Sequence, residues 1–136
     1  MKKTRETNRE IWQKVINAWA EEDLETIRRY VSPDLEILEP ASLPYPGLFK
    51  GPEGYVELHR KIDECWADLK VERGLVIGGD TDEALVIEYF TSGRSRTTNK
   101  CLDREPSLGI WKFRDGMVIS MTPFNFDTAK IVSLLT

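Results

Sequence analysis

The sequence of 136 residues contains one histidine, His59, and two cysteines, Cys65 and Cys101. One histidine excludes a His-rich zinc or iron site, and two distant cysteines do not make a disulfide framework. No apolar run is long enough to cross a bilayer, and the charged N-terminus lacks the apolar core of a secretory signal. We therefore expect a cytoplasmic protein with reduced thiols and no membrane contact.

The chain also lacks an excess of basic residues, because 19 Lys and Arg stand against 23 Asp and Glu, for a net charge of −4. A nucleic-acid partner requires a net basic face, so we expect none. The basic side chains within residues 94–104 predict a solvated loop. The sequence shows no glycine-rich phosphate loop, dinucleotide fingerprint or metal-ligand cluster. These absences predict a protein that uses neither a metal nor a cofactor.

The composition is that of a globular domain, with 40% hydrophobic and 31% charged residues and no repeat or linker. We therefore treat residues 1–136 as a single domain. Apolar residues at three- and four-residue spacing, such as Ile11, Val15 and Trp19, predict amphipathic helices. The predicted helices span residues 4–20, 52–66 and 128–135, with a short additional helix that Asp23 caps and Pro33 ends.

Apolar–polar alternation and β-branched or aromatic residues predict strands in the rest of the chain. The predicted strands span residues 34–39, 69–77, 84–92, 107–114 and 117–126. A structured loop is expected over 40–52, a turn over 78–80, and a loop or frayed hairpin over 93–104. Helices that precede a run of antiparallel strands predict an α+β fold, with the helices covering one face of a curved sheet.

Glu39 is the most informative single residue of the sequence. Strand alternation places it on the same face as Leu35 and Ile37, directly before Pro40. If this face lines an apolar cavity, burial disfavours the charged carboxylate and raises its pKa toward that of a general base. The alternative is that Glu39 is exposed at the end of its strand.

Aromatic residues are the expected walls of such a cavity, although most of them are equally suited to a plain core. His59 flanks the apolar stripe of its helix, where a histidine is either a helix-flank residue or a hydrogen-bond donor to a ligand. An apolar molecule that contains a ring would fit a cavity of this kind. The candidate substrate-binding residues are Trp12, Tyr55, His59, Trp66, Phe90, Trp111 and Phe124.

Three segments carry a resemblance to a known group of proteins: AWAEEDLETIRRYVSPDLEILEP, PYPGLFKGPEGYVELHRKI and WKFRDGMVISMTPFNFDT. In this order they resemble the nuclear transport factor 2-like (NTF2-like) superfamily, and within it the SnoaL-like polyketide cyclases and ketosteroid isomerases. The resemblance implies a cone formed by a curved antiparallel sheet wrapped around N-terminal helices. It also implies a homodimer paired through the exposed sheet face. The fold hosts enzymes and non-catalytic binders alike.

Several functional residues follow from the resemblance. Glu39 stands where ketosteroid isomerases have their base, also before a proline. Val15 and Gly109 stand where those enzymes have two hydrogen-bond donors to the substrate oxygen, so steroid isomerisation is disfavoured. Asp127 matches the acid at the end of the last strand in SnoaL-like cyclases and epoxide hydrolases. It is equally suited to capping the last helix.

Three functions therefore remain open. The first is the binding of a small hydrophobic molecule, with cofactor-free isomerase or cyclase chemistry that uses Glu39 or Asp127 as general base. The second is a non-catalytic module for ligand binding or dimerisation. The third is an epoxide hydrolase-like activity, although the Arg-x-Asp pair of those enzymes is replaced here by Arg94-Ser95-Arg96.

Overall fold

The computed structural model of the protein describes residues 6–79 and 83–136. Within these ranges two helices come first, followed by two strands, a third helix, four strands and a last helix. They are α1 Asn8–Ala20, α2 Leu24–Tyr30, β1 Val31–Glu39, β2 Gly47–Lys50, α3 Gly51–Cys65, β3 Trp66–Ile77, β4 Ala84–Ser95, β5 Cys101–Arg114, β6 Met117–Asn125 and α4 Thr128–Leu135.

Side-chain caps define where the first two helices begin. The Thr7 hydroxyl accepts a hydrogen bond from the Glu10 amide at 3.1 Å, which fixes the start of α1 at Asn8. The predicted start at Thr4 lies outside the described residues. Asp23 caps α2 as predicted, since its carboxylate accepts from the Thr26 amide at 3.2 Å.

All strands of the described chain belong to one sheet of order β2-β1-β6-β5-β4-β3. Two helices precede the first strand in the chain, and the last four strands follow one another without an intervening helix. The predicted α+β fold class is confirmed. The sheet is mixed, whereas the sequence predicted antiparallel pairing, because β1 runs parallel to β6. These two strands lie far apart in the chain and are joined by a long crossover rather than a hairpin, which permits parallel pairing.

Two connections differ from their predicted form. Strand β2 forms within the predicted loop 40–52, where Gly47 pairs with Glu39 and Phe49 pairs with Ile37. Strands β4 and β5 extend into the predicted loop 93–104, so that residues 96–100 join them. Of the predicted turn 78–80, Asp80 lies outside the described residues.

A β-bulge near the start of β5 changes which side chains face the interior. Thr91 pairs with Glu105 and Gly93 pairs with Leu102, so β5 has one more residue than β4 in this interval. Arg104 adopts a left-handed conformation there, with φ of 47°. Leu102 and Glu105 are therefore both buried, although they are three positions apart.

The core lies between α1, α3 and the inner face of the sheet, and the predicted inward face of β1 is confirmed. Leu35, Ile37 and Glu39 are buried, whereas Glu36 and Leu38 between them are exposed. No helix in the described ranges is both long enough and apolar enough to cross a membrane.

Candidate functional site

A cavity of about 160 Å³ lies between the inner face of the sheet and the helices α1 and α3. Its lining is mainly apolar and aromatic, and every helix except α2 contributes to it. The apolar and aromatic lining includes Trp19, Tyr55, Leu58, Ile62, Trp66, Leu102, Trp111, Met121 and Ile131. The polar lining residues include Glu39, Tyr45, Glu105 and Tyr89, which are described in turn below.

Glu39 lies at the end of β1, where its side chain lines the cavity and is only 6% exposed. The described residues provide neither a hydrogen bond nor an ion pair to its carboxylate. Burial raises the pKa of Glu39 from its ordinary value of 4.5 to about 7. Near neutral pH this carboxyl group therefore exists in both protonation states.

Tyr45 is the polar neighbour of Glu39. It lies in the loop that follows β1, and its ring is buried against the cavity. Burial raises the pKa of the Tyr45 hydroxyl, and the negative charge of Glu39 raises it further. Tyr45 is therefore a neutral phenol beside the Glu39 carboxylate.

A second buried carboxylate, Glu105, enters the cavity because of the bulge in β5. Glu105 is 4% exposed, and its Oε1 accepts a hydrogen bond from Nζ of Lys130 at 2.9 Å. Its Oε2 is buried and has no hydrogen-bond partner among the described residues. The ammonium group of Lys130, on α4, thus neutralises a carboxylate that retains one free acceptor atom.

Tyr89 carries a hydroxyl group and lines both the cavity and an adjacent pocket that also contains Trp12. This oxygen accepts a hydrogen bond from Nε1 of Trp111 at 2.9 Å and a second from Nε1 of Trp12 at 3.3 Å. Burial raises the pKa of Tyr89 to about 12, while the two indole hydrogen bonds lower it. Tyr89 is therefore protonated at neutral pH.

Residues 12–121 match the family described as the SnoaL-like domain. The chain belongs to this family. The match includes Glu39, Tyr89 and Glu105, and it confirms the resemblance predicted from the sequence. None of the curated proteins compared with this SnoaL-like domain matches it.

Solved structures show the same fold at low sequence identity. An NTF2-like protein of unknown function from Burkholderia pseudomallei is 18% identical, with a TM-score of 0.80 over 95% of this chain and 97% of that one. A candidate SnoaL-like polyketide cyclase from Jannaschia sp. CCS1 is 16% identical, with a TM-score of 0.76 over 100% and 98%. TerC, co-crystallized with polyporic acid, is 18% identical, with a TM-score of 0.78 over 94% and 97%.

The structure places the two candidate bases of the SnoaL-like domain differently. Glu39 lines the cavity, as described above. Asp127 is half-buried and caps α4, where its carboxylate accepts from the backbone amide of Lys130 at 3.0 Å. Asp127 is not among the described residues that line the cavity.

The candidate substrate-binding residues are divided among several places. Tyr55, Trp66 and Trp111 line the cavity. Trp12 and His59 line an adjacent pocket beneath α1. The Nδ1 atom of His59 is buried without a hydrogen bond, and its ring packs edge-on against Trp19.

The other two aromatic candidates lie away from the cavity. Phe124 is 51% exposed and borders an outer groove. Phe90 is half-buried, with the guanidinium group of Arg104 at 4.7 Å from its ring centre. Neither is among the described residues that line the main cavity.

The sequence did not point to Tyr89 or Glu105 as site residues. Alternation along ALVIEYF places Tyr89 on the inward face with Leu85 and Ile87. The sequence therefore contains a signal for the face on which Tyr89 lies. Glu105 resembles Glu39 in that a proline follows it. The bulge that turns Glu105 inward has no clear signature in the sequence.

Proposed function

We propose that this SnoaL-like domain binds a small apolar molecule that contains a ring and a carbonyl group. Glu39 removes a proton from the carbon next to that carbonyl, as in isomerase or cyclase chemistry. The observation that carries the proposal is the isolated, desolvated carboxylate of Glu39 in an apolar cavity. Proton transfer of this kind needs a positioned base and requires neither a metal nor a cofactor.

The pKa of Glu39 suits the proposed step. A base is most effective when its pKa lies near the working pH, because it is then both available and strong. At about 7, the pKa of Glu39 meets this condition at neutral pH, whereas an ordinary glutamate at 4.5 is a weaker base. Strongly shifted groups in a cleft are typical of functional sites.

The size of the cavity limits what it can enclose. Its volume of about 160 Å³ is close to that of an engineered ~150 Å³ protein cavity that binds benzene. The cavity therefore encloses one ring. Glu39 also borders the outer groove, together with Pro40 and Phe124, so a larger substrate has room to extend past the carboxylate.

Two structural neighbours support the substrate class. One is named as a candidate SnoaL-like polyketide cyclase, and TerC was co-crystallized with polyporic acid. At the low identities found, these neighbours support the fold and are compatible with a small-molecule ligand. The reaction is argued from Glu39 itself.

Hydrogen–deuterium exchange tests this proposal without knowledge of the natural substrate. Single-ring ketones such as cyclohexanone, cyclohexane-1,3-dione and acetophenone are incubated with the protein in D₂O, and loss of the α-proton signal is followed by NMR. We expect the wild type to accelerate exchange and Glu39→Gln to abolish the acceleration. The rate should rise with pH through about 7, since the ionised carboxylate is the base.

Two variants complete the experiment. Glu36→Gln changes an exposed glutamate on the opposite face of the same strand, and it should exchange like the wild type. Asp127→Asn tests the second candidate base. If the wild type binds these ketones but does not accelerate exchange, the domain is a binding module. Turnover of styrene oxide would instead support epoxide hydrolysis.

We also propose that the domain forms a homodimer through the outer face of its sheet. Leu108 and Phe124 are neighbours across β5 and β6, and both are exposed, at 44% and 51%. Exposed apolar neighbours of this kind favour association, and dimers are usually two-fold. Phe124→Lys should convert the dimer to a monomer in light scattering after size-exclusion chromatography. A wild-type monomer would contradict this proposal.

A further inference from the structure

The hydrogen bonds of Tyr89 leave its own proton free. An indole N–H is a donor only, so Tyr89 is the acceptor in its hydrogen bonds with both Trp12 and Trp111. The two bonds occupy the acceptor positions of the phenol oxygen. No described residue accepts a hydrogen bond from this hydroxyl group. A donor inside the protein without a partner is costly, and Tyr89 borders both the main cavity and the adjacent pocket that contains Trp12. The main cavity is the one that also contains Glu39 and Trp111.

The strand register explains how two indoles reach one hydroxyl. Tyr89 faces Ser107 across the sheet, and Trp111 faces Leu85, four residues away from Tyr89 on β4. Gly109 lies between Ser107 and Trp111 on the same face of β5. Because Gly109 has no side chain, the Trp111 indole extends over it to the Tyr89 hydroxyl. A Cβ at this position would lie 3.0 Å from Trp111 Nε1.

We propose that the Tyr89 hydroxyl donates a hydrogen bond to the carbonyl oxygen of the bound molecule. This inference rests on the proposed function of Glu39. As Glu39 takes the proton, the C–H electron pair forms the C–C double bond of an enolate. The carbonyl π pair moves onto oxygen, where Tyr89 stabilises the negative charge without giving up its proton.

Trp12 and Trp111 act as positioning residues in this arrangement. Their N–H groups fix the phenol oxygen and polarise its O–H bond, because hydrogen bonds in a chain strengthen one another. The pKa of about 12 keeps the proton on Tyr89, so that it remains a donor. Donors fixed before the reaction stabilise developing charge most effectively. The inference narrows the ligand class to molecules with an acceptor oxygen that reaches Tyr89.

Infrared spectroscopy of bound acetophenone, labelled with ¹³C at the carbonyl, tests the contact directly. A hydrogen bond lowers the carbonyl stretching frequency. We expect a lower frequency in the wild type than in Tyr89→Phe, with an intermediate value in Trp111→Phe, which retains the hydroxyl but removes one indole donor. Tyr30→Phe removes a tyrosine hydroxyl outside the cavity and should match the wild type. In the exchange assay, Tyr89→Phe should lower the rate by roughly 10²–10³-fold.

The experiment separates this inference from the role of Glu39. The frequency shift should persist in Glu39→Gln, since the hydrogen bond from Tyr89 does not require the base. A shift without wild-type exchange would overturn the role of Glu39 and retain the Tyr89 contact. Equal frequencies in the wild type and Tyr89→Phe, or no binding of acetophenone, would overturn the inference. If Tyr89→Phe does not fold, equal frequencies in Trp111→Phe and the wild type would overturn it.

Discussion

Lys130 and Glu105 form an ion pair beside the cavity that Glu105 lines, with Nζ 2.9 Å from Oε1. The two groups differ in exposure, since the Glu105 side chain is 5% exposed and that of Lys130 is 49% exposed. The lysine thus reaches from the surface of α4 to a carboxylate inside the protein. This contact joins α4, which contributes Ile131 to the cavity, to strand β5.

Removing Lys130 should destabilise the protein more than removing both charges. Lys130→Met leaves the Glu105 carboxylate buried without its counter-ion, whereas the double variant with Glu105→Gln has no charge left at this position. We expect the free energy of unfolding to fall in Lys130→Met and to recover in part in the double variant. Urea unfolding of both single variants and the double variant gives the coupling between the two residues.

Additive effects of these two substitutions would show that the ion pair contributes nothing to stability. The pair of Lys50 and Glu36 provides the control, since both side chains are exposed, on β2 and β1. Breaking an exposed pair of this kind changes stability little.

Glu39 should make the protein less stable as the pH rises. Its pKa is about 7 in the folded protein and near 4.5 in the unfolded chain. Between these values the folded protein holds a proton that the unfolded chain has released, so stability falls from pH 4.5 to 7. The shift corresponds to about 3 kcal/mol. Glu39→Gln should therefore be more stable than the wild type at pH 8, by up to about 3 kcal/mol.

Chemical denaturation at several pH values measures this difference. The gain from Glu39→Gln should vanish below pH 4.5, where the wild-type carboxyl is neutral in both states. Glu36→Gln, on the exposed face of the same strand, should show no comparable dependence. A pH-independent difference between Glu39→Gln and the wild type would indicate that Glu39 is not desolvated.

The place of Glu39 was predictable because the second half of β1 is regular. Period-2 alternation extends without interruption from Leu35 to Glu39, so the burial of the apolar residues determines the side on which Glu39 lies. The α+β class was predictable for a similar reason, since the helical and strand periodicities occupy separate parts of the chain. Regular elements therefore gave both the fold class and the leading site residue.

The remaining site residues depend on irregularities and on long-range contacts. Glu105 faces inward only because a bulge at Arg104 shifts the alternation of β5 by one position. Tyr89 acquires its hydrogen bonds from Trp12 and Trp111, which are 77 and 22 residues away in sequence. Local patterns assign a residue to a face, whereas they do not reveal which distant groups meet there.

Gly109 should be required for the contact between Trp111 and Tyr89. A Cβ at Gly109 would lie 3.0 Å from Trp111 Nε1 and 3.2 Å from Tyr89 Cε2. Gly109→Ala should therefore displace the indole and destabilise the protein by about 1–3 kcal/mol, as overpacking does. Gly93→Ala is a matched control, because its Cβ would meet atoms at 3.5 Å, an ordinary contact. Equal urea midpoints for the two variants would contradict the expectation.

The last helix should loosen when its C-terminal carbonyl groups lose their partners. The final carbonyls of a helix have no intrahelical donor. In α4 they accept from the β4–β5 turn, where Thr98 Oγ1 donates to Leu134 and Thr97 Oγ1 donates to Leu135 at 3.0 Å. Thr98→Val preserves the shape of the side chain and removes the donor, so we expect a loss of about 1 kcal/mol. Amide exchange in α4 should accelerate, while that of β5 should change less. Thr122→Val, at an exposed position of β6, is the control, and equal α4 exchange in both variants would show that the turn does not hold the helix.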